Sequence, residues 1–178
     1  GGAGGAGGGA SLSVGRNMDA RNITLQAGNG GLKGGNVNGP AGGNVFLTVG
    51  GDASASNVTV QGGASMLSGA GQFGGKGGTS AMDVTGNLSV TGTLEITGGK
   101  GGDSNDSVPG VKGGAATVST GAATLGTLTM ASGAAGDGGT SASSFNGPGG
   151  DVSFTADFLE LGSATSTLTR DDGDLLFD

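Results

Sequence analysis

The chain has 178 residues, of which 46 are glycine and 3 proline, and it contains no Tyr, Trp, His or Cys. Collagen is excluded because no G-X-Y triplet persists; low charge density and recurring β-branched runs argue against disorder, and the chain lacks the long periodic helices that a globular α/β fold needs. The net charge of −7 is uneven: residues 151–178 hold seven of the fourteen acids, and residues 1–150 are almost neutral.

The opening GGAGGAGG, residues 1–8, reads as the tail of a preceding glycine-rich loop. The pairs Gly7-Gly8, Gly42-Gly43, Gly77-Gly78, Gly113-Gly114 and Gly149-Gly150 then recur at intervals of 35, 35, 36 and 36. They divide the chain into repeats 9–43, 44–78, 79–114, 115–150 and 151–178. Each repeat begins with an alternating segment whose apolar columns are Leu12, Leu47, Met82, Val118, Phe154 and Val14, Val49, Val84, Thr120, Ala156. Between them runs a polar column, Ser13, Thr48, Asp83, Ser119, Thr155, as expected of a strand with one buried face. A second segment aligns Met18, Ala53, Leu88, Ala123, Leu159 and then Ala20, Ala55, Val90, Leu125, Leu161. A third aligns Ile23, Val58, Leu94, Leu128 and Leu25, Val60, Ile96, Met130, with Thr24, Thr59, Glu95 and Thr129 pointing outward. In the fifth repeat its register fails, and Leu168 is the expected remnant.

Corners such as Gly15-Arg16, Gly50-Gly51 and Gly121-Ala122 are expected to use the positive φ open to glycine. Strands this short do not form a sheet within one repeat. Stacked in register they give an all-β parallel β-helix, or β-solenoid, as a single domain over residues 1–178. The expectation is about five coils of three short strands, forming a rod about 24 Å tall. The general preference of parallel crossovers makes it right-handed. The long second half of each repeat also leaves room for two thin coils per repeat. A polyproline-II bundle or silk-like sheet of the G-G-x stretches competes with this architecture, but accounts for no apolar column.

The glycine-rich insertions cover roughly residues 28–43, 63–78, 98–114 and 132–150. Each carries one apolar residue at similar offset, Val37, Phe73, Val108 and Phe145, expected to pin the loop to the body.

Chemistry-bearing motifs are few. GAGQFGGKGGTS, residues 69–80, matches G-x-G-x-x-G, but a strand pattern follows it instead of a helix. Lys76 is followed by Gly77 instead of Ser or Thr, so no phosphate-binding loop is read there. GGKGGDSND, residues 98–106, approaches the calcium-binding nonapeptide but occurs once, whereas that site needs successive copies. The calcium candidates are therefore Asp103 and Asp106, with Asp171, Asp172 and Asp174 of RDDGD as a second cluster. No other cofactor is expected. Without His or Cys there is no Ser-His or Cys-His nucleophile, and Asp83 and Glu95 lie on different strand segments, so no enzyme is expected. The sequons at Asn22, Asn57, Asn87 and Asn105 carry sugar only in a eukaryotic secretory context, and two of them follow the repeat. No basic stripe invites nucleic acid, and no apolar run is long enough to span a membrane.

The stretches NVFLTVGGDASASNVTVQGG and GNLSVTGTLEITGG resemble passenger β-helices of bacterial exoproteins of the filamentous-haemagglutinin and autotransporter-adhesin type. The resemblance, over residues 10–170, lies in pattern and composition and carries over no functional residue. It implies secretion, a cell-surface or extracellular setting, and structural or adhesive work against a glycan or host surface. End-to-end stacking into a homo-oligomer or filament fits open-ended solenoids, whose terminal strands lack partners. Two other functions stay open: an ice-binding solenoid using the Thr/Ser ladders, and a polysaccharide-binding or polysaccharide-cleaving β-helix.

Overall fold

A computed structural model describes residues 4–31, 38–66, 73–104, 108–138, 146–162 and 166–169, and the backbone of 175–177. The described residues hold ten strands and no helix: β1 Ala10–Val14, β2 Met18–Gln26, β3 Val45–Val49, β4 Ala53–Gln61, β5 Ser80–Val84, β6 Leu88–Thr97, β7 Ala116–Ala131, β8 Val152–Leu161, β9 Thr167–Thr169 and β10 Leu175–Phe177. Every pairing is parallel. One ladder runs β1–β3–β5–β7 and a second β2–β4–β6–β7. The arrangement is a β-solenoid of about four turns.

The register follows the columns read from the sequence. Leu12 pairs with Leu47, Leu47 with Met82, Met82 with Val118, and Val118 with Phe154. On the other ladder Met18, Ala53, Leu88, Ala123 and Leu159 align. Met130 pairs with Leu168, so the fifth repeat recovers its third segment as β9. Interior members of these columns are sealed: Leu47, Met82, Leu88, Leu125 and Phe154 are each 1% exposed. Burial of each such side chain contributes roughly 1.5–3 kcal/mol. A further inward column, Ala10, Val45, Ser80, Ala116, Val152, escapes the hydrophobic pattern because Ser80 interrupts it. The Ser80 hydroxyl is fully buried and donates to the Thr97 carbonyl at 2.6 Å. Thr120, the polar member of the Val14 column, donates in the same way to the Gly86 carbonyl at 3.1 Å. Both satisfy a buried hydroxyl that would otherwise destabilise the core.

Two expectations are corrected. The repeats do not contain three separate strands, because the second and third segments run together as β2, β4 and β6, and β7 carries all three. A register shift between Ala55 and Val58, repeated between Val90 and Thr93, absorbs the extra residue of β6, so pairing continues through the corner. The corner glycines also do not use positive φ: Gly15, Gly50, Gly51 and Gly121 all lie outside the left-handed range. At Gly51 the reason for glycine is proximity, since a Cβ would stand 2.2 Å from Asn17 Oδ1.

The described parts of the glycine-rich insertions form a hydrogen-bonded lattice of their own. Ala27 and Gly30 donate to Gln61 and Ala64 one coil on, at 3.0 and 2.9 Å. The residues following them, Gly28 and Gly31, donate instead to Gly8 and Gly5 of the closing segment, at 2.8 Å each. The pattern recurs at Gly98, Gly101 and Ser104, which bond Ala131, Ala134 and Asp137, while Gly99 and Gly102 bond Gly78 and Gly75. A three-residue alternation of this kind has the period of polyproline II, whose amides are free for neighbouring chains. Opening and closing segments interleave: Gly28 donates to Gly8, Gly43 to Gly28, Gly63 to Gly43, Gly78 to Gly63, and so on to Gly150 on Gly133. A Cβ at Gly78 would lie 1.9 Å from the Gly43 carbonyl oxygen, and one at Gly133 1.8 Å from that of Gly99. The strand ladders and this glycine lattice are therefore two parts of one fold.

Candidate functional site

The fold presents long outward columns. On the β1–β3–β5–β7–β8 ladder these are Ser13, Thr48, Asp83, Ser119, Thr155 and Ser11, Phe46, Ala81, Thr117, Ser153. Phe46 stands out of this face, 47% exposed. On the second ladder Thr24, Thr59, Glu95, Thr129 and Thr167 form one column, with Thr93 and Thr127 paired beside it. Asp83 and Glu95 belong to different ladders and are not brought together as a carboxylate pair.

Asparagine and aspartate run along the corners. Asn17 Oδ1 accepts from the Asp52 N–H at 3.0 Å, Asp52 Oδ1 from the Asn87 N–H at 2.8 Å, and Asn87 Oδ1 from the Ala122 N–H at 3.3 Å. Beside them Asn57 Nδ2 donates to Asn22 Oδ1 at 2.9 Å, and Asn57 Oδ1 accepts from the Thr93 N–H at 3.0 Å. Similar links join Asn29 to Ala64 and Asn44 to Thr79. Three of the four sequon asparagines thus serve as rungs between coils. The spacing of 35 between Asn22 and Asn57, and between Asn17, Asp52 and Asn87, carried this signal in the sequence.

Of the calcium candidates, Asp103 alone lies within the described residues; Asp106, Asp171, Asp172 and Asp174 lie outside them. Asp103 Oδ1 accepts from the Asp137 N–H at 2.9 Å and meets Lys100 Nζ at 2.9 Å. Partial burial pushes its carboxyl up, and the Asp137 amide and Lys100 outweigh this and hold it below its usual value. Its hydrogen bond to Asp103 raises the Lys100 ammonium. Among the described residues no three His, Cys, Asp or Glu side chains gather as a metal site. The loop anchors are also revised. Phe73 is 50% exposed instead of buried; its backbone is held by the Gly39 N–H on its carbonyl at 2.8 Å and by its own N–H on Asn38 Oδ1 at 3.3 Å. Val108 is half-buried, and Val37 and Phe145 lie outside the described residues.

The ends differ from the middle. In the first coil Leu12 is 36% exposed and Val14, Ala20 and Leu25 are half-buried, although they share columns with sealed residues. At the other end Phe158 and Leu161 are 61% and 40% exposed. The β10 backbone adds one rung over Val152–Phe154, and among the described residues no strand pairs with β8 on that side beyond Phe154. A groove of about 450 Å³ near the first coil is lined by Gly7, Gly9, Ala10, Ser11, Asn44 and Phe46 among others, with no titratable group. No described helix is long and apolar enough to cross a membrane. Comparison with protein-family models, curated proteins and solved structures gives no match.

Proposed function

We propose that the chain is a structural or adhesive segment of a secreted bacterial surface repeat protein, working through its extended faces and associating end to end. The observation that carries this reading is that apolar columns sealed in the middle open at one or other end of the stack. Leu47 is 1% exposed, whereas Leu12 below it is 36% exposed; in a neighbouring column Leu125 is 1% exposed, whereas Leu161 above it is 40%. An open column end is apolar surface awaiting another rung, and an unpaired parallel edge supplies the hydrogen-bonding groups for it. Sedimentation velocity across a concentration series tests the self-association. The reading expects species larger than the monomer to grow with concentration, and a monomer at every concentration overturns it.

Ice binding is the second reading, favoured by the alignment of Thr129 with Thr167 next to Thr127, Thr93 and Thr59. Glu95 sits in the middle of that column. Thermal hysteresis with shaped ice crystals would select this reading over the first.

A further inference from the structure

Given the end-to-end association proposed above, we infer that its partner is a second copy of this chain docked with one fixed polarity, N-terminal coil on C-terminal coil. The fold turns an uneven sequence into an axial charge gradient. Among the described residues, the first coil carries Arg16 and Arg21 against Asp19, and β8 near the other end carries Asp157 and Glu160 with no cation of its own. Successive repeats stack as successive rungs, so sequence order becomes position along the axis. The described charges therefore leave the first coil net positive and β8 at the other end net negative.

The groups responsible are exposed and disengaged. Arg16 and Arg21 lie at the surface of the first coil with Asp19 between them; Asp157 and Glu160 lie at the surface of the last. None of Arg16, Arg21, Asp157 and Glu160 has an ion-pair partner among the described residues, whose two salt bridges are Lys100–Asp103 and Lys112–Asp151. A contact between two N-terminal coils would set arginines against arginines, and one between two C-terminal coils would set acids against acids. Like charges opposed at an interface disfavour it, and opposite charges both steer and orient the encounter.

The apolar cross-sections agree with this polarity. Met18 and Ala20 at the first end occupy the columns of Leu159 and Leu161 at the last. Leu25 occupies the column of Leu168, and β10 holds the register of the Ala10–Leu12 column. The same columns thus reach both faces, with half-exposed apolar residues at each.

The test uses two charge-reversal variants of the whole chain at exposed positions that share a corner column, Arg16→Glu and Asp157→Lys. Their association is read by sedimentation velocity at low salt, with circular dichroism melts as the folding control. Each variant alone should associate at least about tenfold more weakly than the parent, and an equimolar mixture should recover most of the loss, because alternating copies restore opposite charges at each junction. The unaltered chain should also dissociate in 1 M NaCl, where the Debye length is about 3 Å. Association of the parent that withstands salt and both substitutions overturns the charge-directed polarity while leaving self-association intact. A mixture no stronger than either variant alone also overturns it, and a parent that stays monomeric removes the reading on which it rests.

Discussion

A single side chain in this fold is felt according to its rung. Leu47 is sealed at 1% exposure between Leu12 and Met82, so Leu47→Asp places an unpaired charge inside the column. It should cost more than about 4 kcal/mol, enough to abolish a folded β-type melt. Leu12→Asp, one rung lower and 36% exposed, should cost less than about 2 kcal/mol. Equal losses at the two positions would show that the column does not open at its end. Glycine follows the same local logic. Gly78→Ala drives a Cβ to 1.9 Å from the Gly43 oxygen and should lower the melting temperature sharply, whereas at Gly15 nothing lies within 4 Å and φ is ordinary. Gly15→Ala should therefore be neutral, or stabilising by about 0.4–1 kcal/mol through the unfolded chain. A strong loss at Gly15 would restore the positive-φ turn that the sequence suggested.

Among the elements, the strands were legible and the lattice was not. Strands announce themselves by alternation, and the alternation at Leu47-Thr48-Val49 repeats at a spacing that fixes which rung meets which. The fusion of segments into β4 and β6 was hidden because Asn57 and Gly92 are residue types that favour turns, yet pairing continues past them through a register shift. The lattice was hidden for a different reason: glycine has no side chain to form a pattern, and the order lies in backbone bonds with a period of three. Asparagine at equivalent offsets was the available clue, because a side-chain oxygen on each rung can hold an amide of the next. Asn57→Ala breaks two such links, to Asn22 and to Thr93, and should cost about 1–2 kcal/mol. A thermal melt of that variant unchanged from the parent would reduce the corner rungs to surface decoration. The Lys100–Asp103 pair works in a definite pH window. With Asp103 held below its ordinary value, its contribution is present at neutral pH and is lost as the pH falls through the carboxylate range.

The whole molecule behaves as a one-dimensional stack, in which each coil is stabilised by the coils on either side. Amide hydrogen exchange should be slowest in β4, β6 and the middle of β7, which are flanked on both sides, and fastest in β1 and β10, which have one neighbour each. Uniform protection from β1 to β8 in the isolated monomer would contradict a stack with open ends. The candidate site at this scale is an end and not a pocket, and the sequence carried half of it. The acids of residues 151–178 were plain, but the opposing Arg16 and Arg21 gained meaning only once the fold placed them on the first rung. The most direct test of the account is cryo-electron microscopy of the concentrated chain at low salt. It should show rods joined N-terminal coil to C-terminal coil, all pointing one way, with the coil spacing of about 4.8 Å carried along the stack. Rods that remain separate at every concentration, or that join with alternating direction, would contradict it.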